Sequence, residues 1–298
     1  MSAFLSIVLG ILEEGLVYAI MALGVYVTFK ILDFPDLSVD GTFPMGGAVT
    51  AVLILAGVPP ILTLLISFLA GAVVGIATGI IHVKFKVRDM LSGMIVMTAL
   101  YSINLRIAGK SNLAIFSQET IFDNAYLDRV IPEAFHPYLV VSILLVIVLI
   151  MKILLDVYLK TKSGYLLRAV GDNDTLVTSL AKDKGTVKII GLAIANAFVA
   201  LAGSIFTQKS GFFDISTGTG TMVIGLASVI IGTSMFKKLS VVKATTAVII
   251  GSIVYKACVA AAIELGMRAS DLKLITAVLF LVILVLSSDR KRRMKANA

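Results

Sequence analysis

The stretch "FPDLSVDGTFPMGG", Phe34 to Gly47, sets two prolines, three glycines, two aspartates and two hydroxyls between apolar runs. Pro35 and Pro44 remove helical donors, and Gly41, Gly46 and Gly47 relax the backbone. Asp36, Ser38, Asp40 and Thr42 supply polar groups that hydrocarbon would leave unsatisfied. Two readings follow: a turn and cap at a membrane surface, or a helix break lining a polar cavity within a bundle. Its surroundings are those of a membrane protein. The chain has 298 residues, 58% of them hydrophobic and 15% charged, with a mean hydropathy of +1.02. Its apolar runs of about 17 to 25 residues suit a hydrocarbon core about 30 Å thick at 1.5 Å per residue. The class is all-α, because lipid offers backbone groups no partner and the short alternation of an outer-membrane barrel is missing.

The net charge of +8 is spread in clusters between or after the apolar runs. These are Lys84, Lys86 and Arg88; Lys160 to Lys188; Lys237, Lys238 and Lys243; and Arg290 to Lys295. That is the pattern of cytoplasmic loops rather than of a nucleic-acid surface. Spans are read at 3–29, 43–58, 60–81, 89–107, 138–158, 188–207, 218–236, 241–262 and 272–288, about nine in all. With every cluster inside, the N-terminus lies outside and the C-terminus inside. The first basic residue is Lys30, so the first run reads as a span that stays rather than as a signal peptide. Residues 108–137 form an external loop. Within the cytoplasmic segment 159–187, Leu176, Val177, Leu180 and Ala181 fall on one face of a short helix capped by Asp174. Cys258 reads as a buried small apolar residue, His82 and His136 as loop residues, and no metal site is expected.

The opening stretch has an echo. "FFDISTGT", Phe212 to Thr219, shares its aromatic, acid, branched residue, serine and Gly-Thr pair, and "GLVYAIMALGVYVTFK", Gly15 to Lys30, resembles "GLAIANAFVALAGSIFTQK", Gly191 to Lys209. Spans one and six run in opposite directions in this topology, so the repeats are inverted. Interrupted helices at matching positions of inverted repeats point to a translocation path. The candidates there are Asp36, Ser38, Asp40, Thr42, Asp214, Ser216 and Thr217. Glu13 and Glu14 interrupt the first span and face an external vestibule or a partner. Asn104 and Asn196 read as inter-helix hydrogen-bonding residues.

No P-loop is present: the sole Gly-Lys-Ser, Gly109 to Ser111, has Asn104 where the first glycine belongs. Energy therefore comes from an ion gradient or a separate ATPase, unless the chain is a passive channel. Here the segment Ser163 to Gly203, with Arg168, Ala169, Asp172, Asn173, Ala181 and Gly185 in order, resembles the coupling region of branched-chain amino acid and ribose permeases of ABC importers. "AKDKG" departs from the more apolar run usual there. "FPDLSVDGTFPMGGAV", Phe34 to Val49, resembles the tryptophan/tyrosine-type branch.

The resemblance implies a type II-like importer permease: one transmembrane domain over 1–298, a coupling-helix loop at 159–187 and a basic cytoplasmic tail at 289–298. It implies a homodimer, two cytoplasmic ABC ATPase subunits that carry the ATP and Mg, an extracytoplasmic solute-binding protein, and no cofactor or catalytic site on this chain. Leu167, Arg168, Asp172, Asn173, Leu176, Leu180 and Ala181 are the implied ATPase contacts, and an aromatic amino acid is the favoured cargo. The competing reading is an ion-coupled carrier using Asp36, Asp40 or Asp214.

Overall fold

The computed structural model describes residues 3–124, 135–172, 183–237 and 242–266, with scattered positions at 127–132 and 271–285. Among them, seven helices are long and apolar enough to cross a membrane. Helix α1 (Ala3–Val25) runs into a π-helical turn (Tyr26–Ile31). It is followed by α2 (Val39–Leu55), α3 (Pro60–Val83), α4 (Asp89–Ala108), α5 (His136–Tyr158) and α6 (Lys162–Asp172). Then come α7 (Lys184–Ser210), a 3-10 turn (Ile215–Gly218), α8 (Thr221–Met235) and α9 (Ala244–Glu264). Strands β1 (Asn112–Ala114) and β2 (Phe212–Asp214) pair antiparallel and tie the loop after α4 to the end of α7.

Local chemistry sets the helix ends. Pro60 opens α3 where its missing N–H costs nothing. Asp183 caps α7 by accepting from the N–H groups of Gly185 and Thr186. A bond from the Thr186 hydroxyl, together with those two, holds its carboxyl below the ordinary range. Gly211 stops α7 in the left-handed region at φ +75°.

Burial is inside-out relative to a water-soluble bundle. On α3 the buried face is Thr63, Ser67, Gly71, Val74, Gly75, Thr78 and Gly79, mostly small or hydroxyl residues, while Ile61, Leu65, Leu69 and Val73 are exposed. Only an apolar solvent makes that arrangement favourable, and small residues then let backbones meet. The meeting partner is α7, the most enclosed helix of the bundle. A Cβ on Gly71 or Gly75 would lie 2.3 Å from the Asn196 carbonyl oxygen or 2.1 Å from that of Leu192.

Contacts give the directions. Along α1, Glu13 pairs with Lys209, Gly24 abuts Ala195 and Leu32 abuts Gly191, so α1 and α7 are antiparallel. Spans one and six do run opposite ways, as the charge pattern predicts. Along α2, Thr42 meets Asn196, Gly46 meets Ala200 and Thr50 meets Ser204, so α2 and α7 are parallel. Because Asn196 lies midway along α7, α2 begins at half depth and runs toward the end of the bundle that carries the two strands, the β end. Helix α8 begins beside Asp40 and runs the other way: its Gly232 abuts Ala247 in the first turn of α9, beside the α5 terminus. Two shorter α-helices, of 17 and 15 residues, thus start next to each other and diverge.

Several sequence expectations need correction. The second span, read at 43–58, is a 17-residue helix, Val39–Leu55, preceded by the unwound residues 32–38. His82 lies in the last turn of α3, where its Nδ1 is 2.9 Å from the Val87 carbonyl, and His136 opens α5. Cys258 is exposed, since in a lipid-facing helix an apolar run does not tell the buried side from the open one. Within 159–187, helix α6 forms earlier than the expected one. The expected helix after Asp174, most of the ninth span and the basic tail lie outside the described residues.

Candidate functional site

Asp36 follows the unwound return from α1, where Asp33 adopts φ +52° and the Phe34 N–H reaches back to the Thr28 carbonyl. The aspartate is fully buried. Its Oδ1 accepts from the Ser38 N–H at 2.9 Å and its Oδ2 from Asn196 Nδ2 at 2.8 Å. Asn196 Oδ1 in turn accepts from the Ser38 hydroxyl at 3.1 Å and the Thr42 hydroxyl at 2.7 Å. One asparagine on α7 therefore gathers three of the sequence-predicted residues at the start of α2. Among the described residues no cation pairs with Asp36. Its carboxyl sits instead at the N-terminal end of α2.

Asp40 does a different job. Its side chain leaves α2 and accepts from the Gly220 N–H at 3.0 Å, the Thr221 hydroxyl at 3.0 Å and the Met222 N–H at 2.7 Å. Those are the first donors of α8. Gly220 stands at the N-cap position with φ +86° and no side chain to cap with, so the carboxylate comes from another helix. Gly218 lets the strands of chain approach: a Cβ there would be 2.0 Å from the Asp40 carbonyl oxygen, the one that Pro44 leaves without its helical donor. Asn104 Nδ2 donates to the Gly41 carbonyl at 3.0 Å from α4.

The remaining predicted pathway residues lie elsewhere. Asp214 is at the β end, where its Oδ1 accepts from the Ser216 N–H at 2.7 Å and its Oδ2 faces Asn112 at 3.4 Å. Partial burial pushes its carboxyl up, but the bonds from Ser216 and Asn112 outweigh that and hold it below the ordinary range. Ser216 is exposed and Thr217 donates to the Asp214 carbonyl at 2.7 Å. The echo between Asp36 and Asp214 is thus one of sequence and not of depth.

At the opposite end, α6 lays Gly164, Leu167 and Val170 inward and turns Arg168 and Asp172 outward. A Cβ on Gly171 would lie 1.7 Å from the Ile31 carbonyl oxygen, so α6 rests on the π-helical turn that leads to Asp36. Asn173, Leu176, Leu180 and Ala181 are outside the described residues. The ion pairs Glu13 to Lys209 and Glu14 to Lys256, at 3.0 and 2.9 Å, went unpredicted. The acids were visible, but their partners are on distant helices.

The family of branched-chain amino acid transport system permease components matches residues 7–287. The chain belongs to this family. It is 44% identical over 98% of its length to the tyrosine transport system permease protein of Clostridioides difficile, 95% of which is covered. It is 27% identical to a probable branched-chain amino acid transport permease protein of Methanocaldococcus jannaschii, over 72% of this chain and 70% of that one. It is 26% identical to a ribose import permease protein of Haemophilus influenzae, over 76% of this chain and 68% of that one. No solved structure matches. The buried hub at the start of α2 and the cap that α8 borrows from Asp40 tie these two helix starts to each other and to α7.

Proposed function

We propose that the chain is the membrane permease subunit of an ATP-driven importer of an amino acid, with tyrosine or a related aromatic amino acid as cargo. The observation that carries this is its 44% identity, over nearly its whole length, to a tyrosine transport system permease protein. The β end faces outside, meeting a solute-binding protein, and the α6 end faces the cytoplasm, with the N-terminus outside and the C-terminus inside. Two copies pair, two ATPase subunits supply ATP and Mg, and this chain performs no chemistry of its own. Arg168 and Asp172 on the outward face of α6 contact the ATPase, joined by Asn173, Leu176, Leu180 and Ala181. Leu167 anchors that helix from its inward face.

The packing supports a mechanical route from the ATPases to the paired helix starts. A push on α6 reaches Ile31 and Leu32, and from there the unwound residues that end at the Asp36–Asn196 hub. Asp36, Ser38, Thr42 and Asp40 brace the paired helix starts, while Asp214, Ser216 and Thr217 shape the outer mouth. Asp36, Asp40 and Asp214 are the acids an ion-coupled carrier would use, and their engagement by protein donors supports the importer reading. The test is co-purification of the ATPase with wild-type chain and with Arg168→Glu: binding and uptake are expected to fall at least tenfold. Full retention of both overturns the docking assignment. A binding protein whose melting temperature responds to no amino acid overturns the cargo.

A further inference from the structure

The outer half of α1 carries an open stripe. Ser6 is exposed, a Cβ on Gly10 would meet nothing within 4 Å, and the Glu14 side chain is 51% exposed. These positions repeat every four residues and so share a face. The stripe ends abruptly, because the chain is buried from Gly15 through the end of α1 to Thr28 in the π-helical turn. At its floor, the Lys256 ammonium reaches Glu14 Oε2 at 2.9 Å and lies 4.0 Å over the Tyr18 ring, which stacks on Phe43 at 5.8 Å.

A half-exposed carboxylate this deep in an apolar helix requires water or a polar occupant. A comparison with the neighbouring pair is informative. Glu13 and Lys209 are equally sheltered, at 20% each, as a staple between two helices should be. Glu14 and Lys256 are lopsided, at 51% and 11%, so the acid is offered outward while the base waits behind it. Among the described residues the ammonium has one hydrogen-bond acceptor for its three donors.

We infer that the Glu14–Lys256 pair is a docking subsite for a zwitterionic amino acid on its way in from the β end. This rests on the importer reading above. The solute's ammonium takes Glu14 and its carboxylate takes Lys256, so both protein charges exchange one partner for another. A solute lacking either charge would leave one protein ion unpaired, which is a basis for discrimination.

The test uses the whole importer in membranes, with Gly10→Cys as a reporter in a Cys258→Ser background. A membrane-impermeant maleimide added from the β side is expected to label Cys at position 10. L-Tyrosine is expected to slow labelling at least threefold, and tyramine, which has no carboxylate, is expected not to. Absence of labelling, meaning that lipid or a second copy covers the stripe, overturns the subsite, as does equal protection by tyramine. Glu14→Gln and Lys256→Met are each expected to lower uptake at least tenfold while the complex and its ATPase rate persist. If the exchanged pair, Glu14→Lys with Lys256→Glu, regains wild-type uptake, the pair is a staple and the proposal fails. If wild-type chain takes up no amino acid, the importer reading fails with it; if wild-type uptake is normal and the variants match it, the subsite alone fails.

Discussion

The two helices that start in the middle of the bundle are held in different ways. Helix α2 is fixed by a closed set of side chains around Asn196, with Asp36 as its acid. Helix α8 has no such set and borrows Asp40 from the first turn of α2. Both acids therefore come from the first copy of the repeat, while the acid of the second copy, Asp214, stays at the β end. The lesson is that α2 is anchored independently, whereas α8 is positioned by α2.

Removing the hub should have the largest effect. Asn196→Leu takes a donor from the Asp36 carboxyl and the acceptor from the Ser38 hydroxyl, at about 1–3 kcal/mol for each buried group left short, while the Thr42 hydroxyl keeps the Ser38 carbonyl. Detergent-extracted protein is expected to elute in the void volume on size exclusion. A monodisperse, wild-type-like peak would mean that α2 does not depend on the hub. Next in size is Asp40→Ala, which deprives the Gly220 and Met222 N–H groups of their acceptor at about 2–3 kcal/mol, while the Thr221 hydroxyl keeps the Gly218 carbonyl. Hydrogen exchange should quicken at residues 220–224 while α2 keeps its protection. If both helices loosen together, the asymmetry is wrong.

A smaller effect is expected of Gly220→Ala, about 1 kcal/mol for a side chain at φ +86° with no clash to relieve. The melting temperature should fall by a few degrees, and the change should add to that of Asp40→Ala only in part, since both act on one helix end. Smallest is acidification. The Asp214 carboxyl is lower in the folded chain than its ordinary 3.8, so its contribution is present above that value and fades as pH falls through the folded value. Exchange at 112–114 and 212–214 should rise there, with little change at 36–42; because the group is only partly buried, the effect should also shrink with salt.

Composition alone announced a lipid-embedded helical bundle, because an excess of apolar residues arranged in membrane-length runs has few other uses. The break at Phe34–Gly47 was legible for a similarly direct reason: proline and glycine act on the backbone at their own positions. Asn196 was legible as an inter-helix hydrogen-bonding residue, but its partner Asp36 is 160 residues away and no local pattern connects them. The same distance hides the cap from Asp40 to Met222, 182 residues on. Burial was the least legible property. When both faces of a helix are apolar, periodicity no longer separates core from solvent, which is why Cys258 was assigned to the wrong side.

The close seating of α7 against its neighbours has an evolutionary consequence. At Gly46, Gly75 and Gly203 even a methyl group would lie within about two ångströms of a backbone oxygen on the facing segment. Natural variation can adjust an acid or move a cap by changing its partner at the same time, but no companion substitution shortens a carbonyl. Across diverging copies of this permease, those hydrogen-sized holes should drift more slowly than the aspartates, and the lineage should explore new cargo by editing the mouths of the bundle rather than its keel.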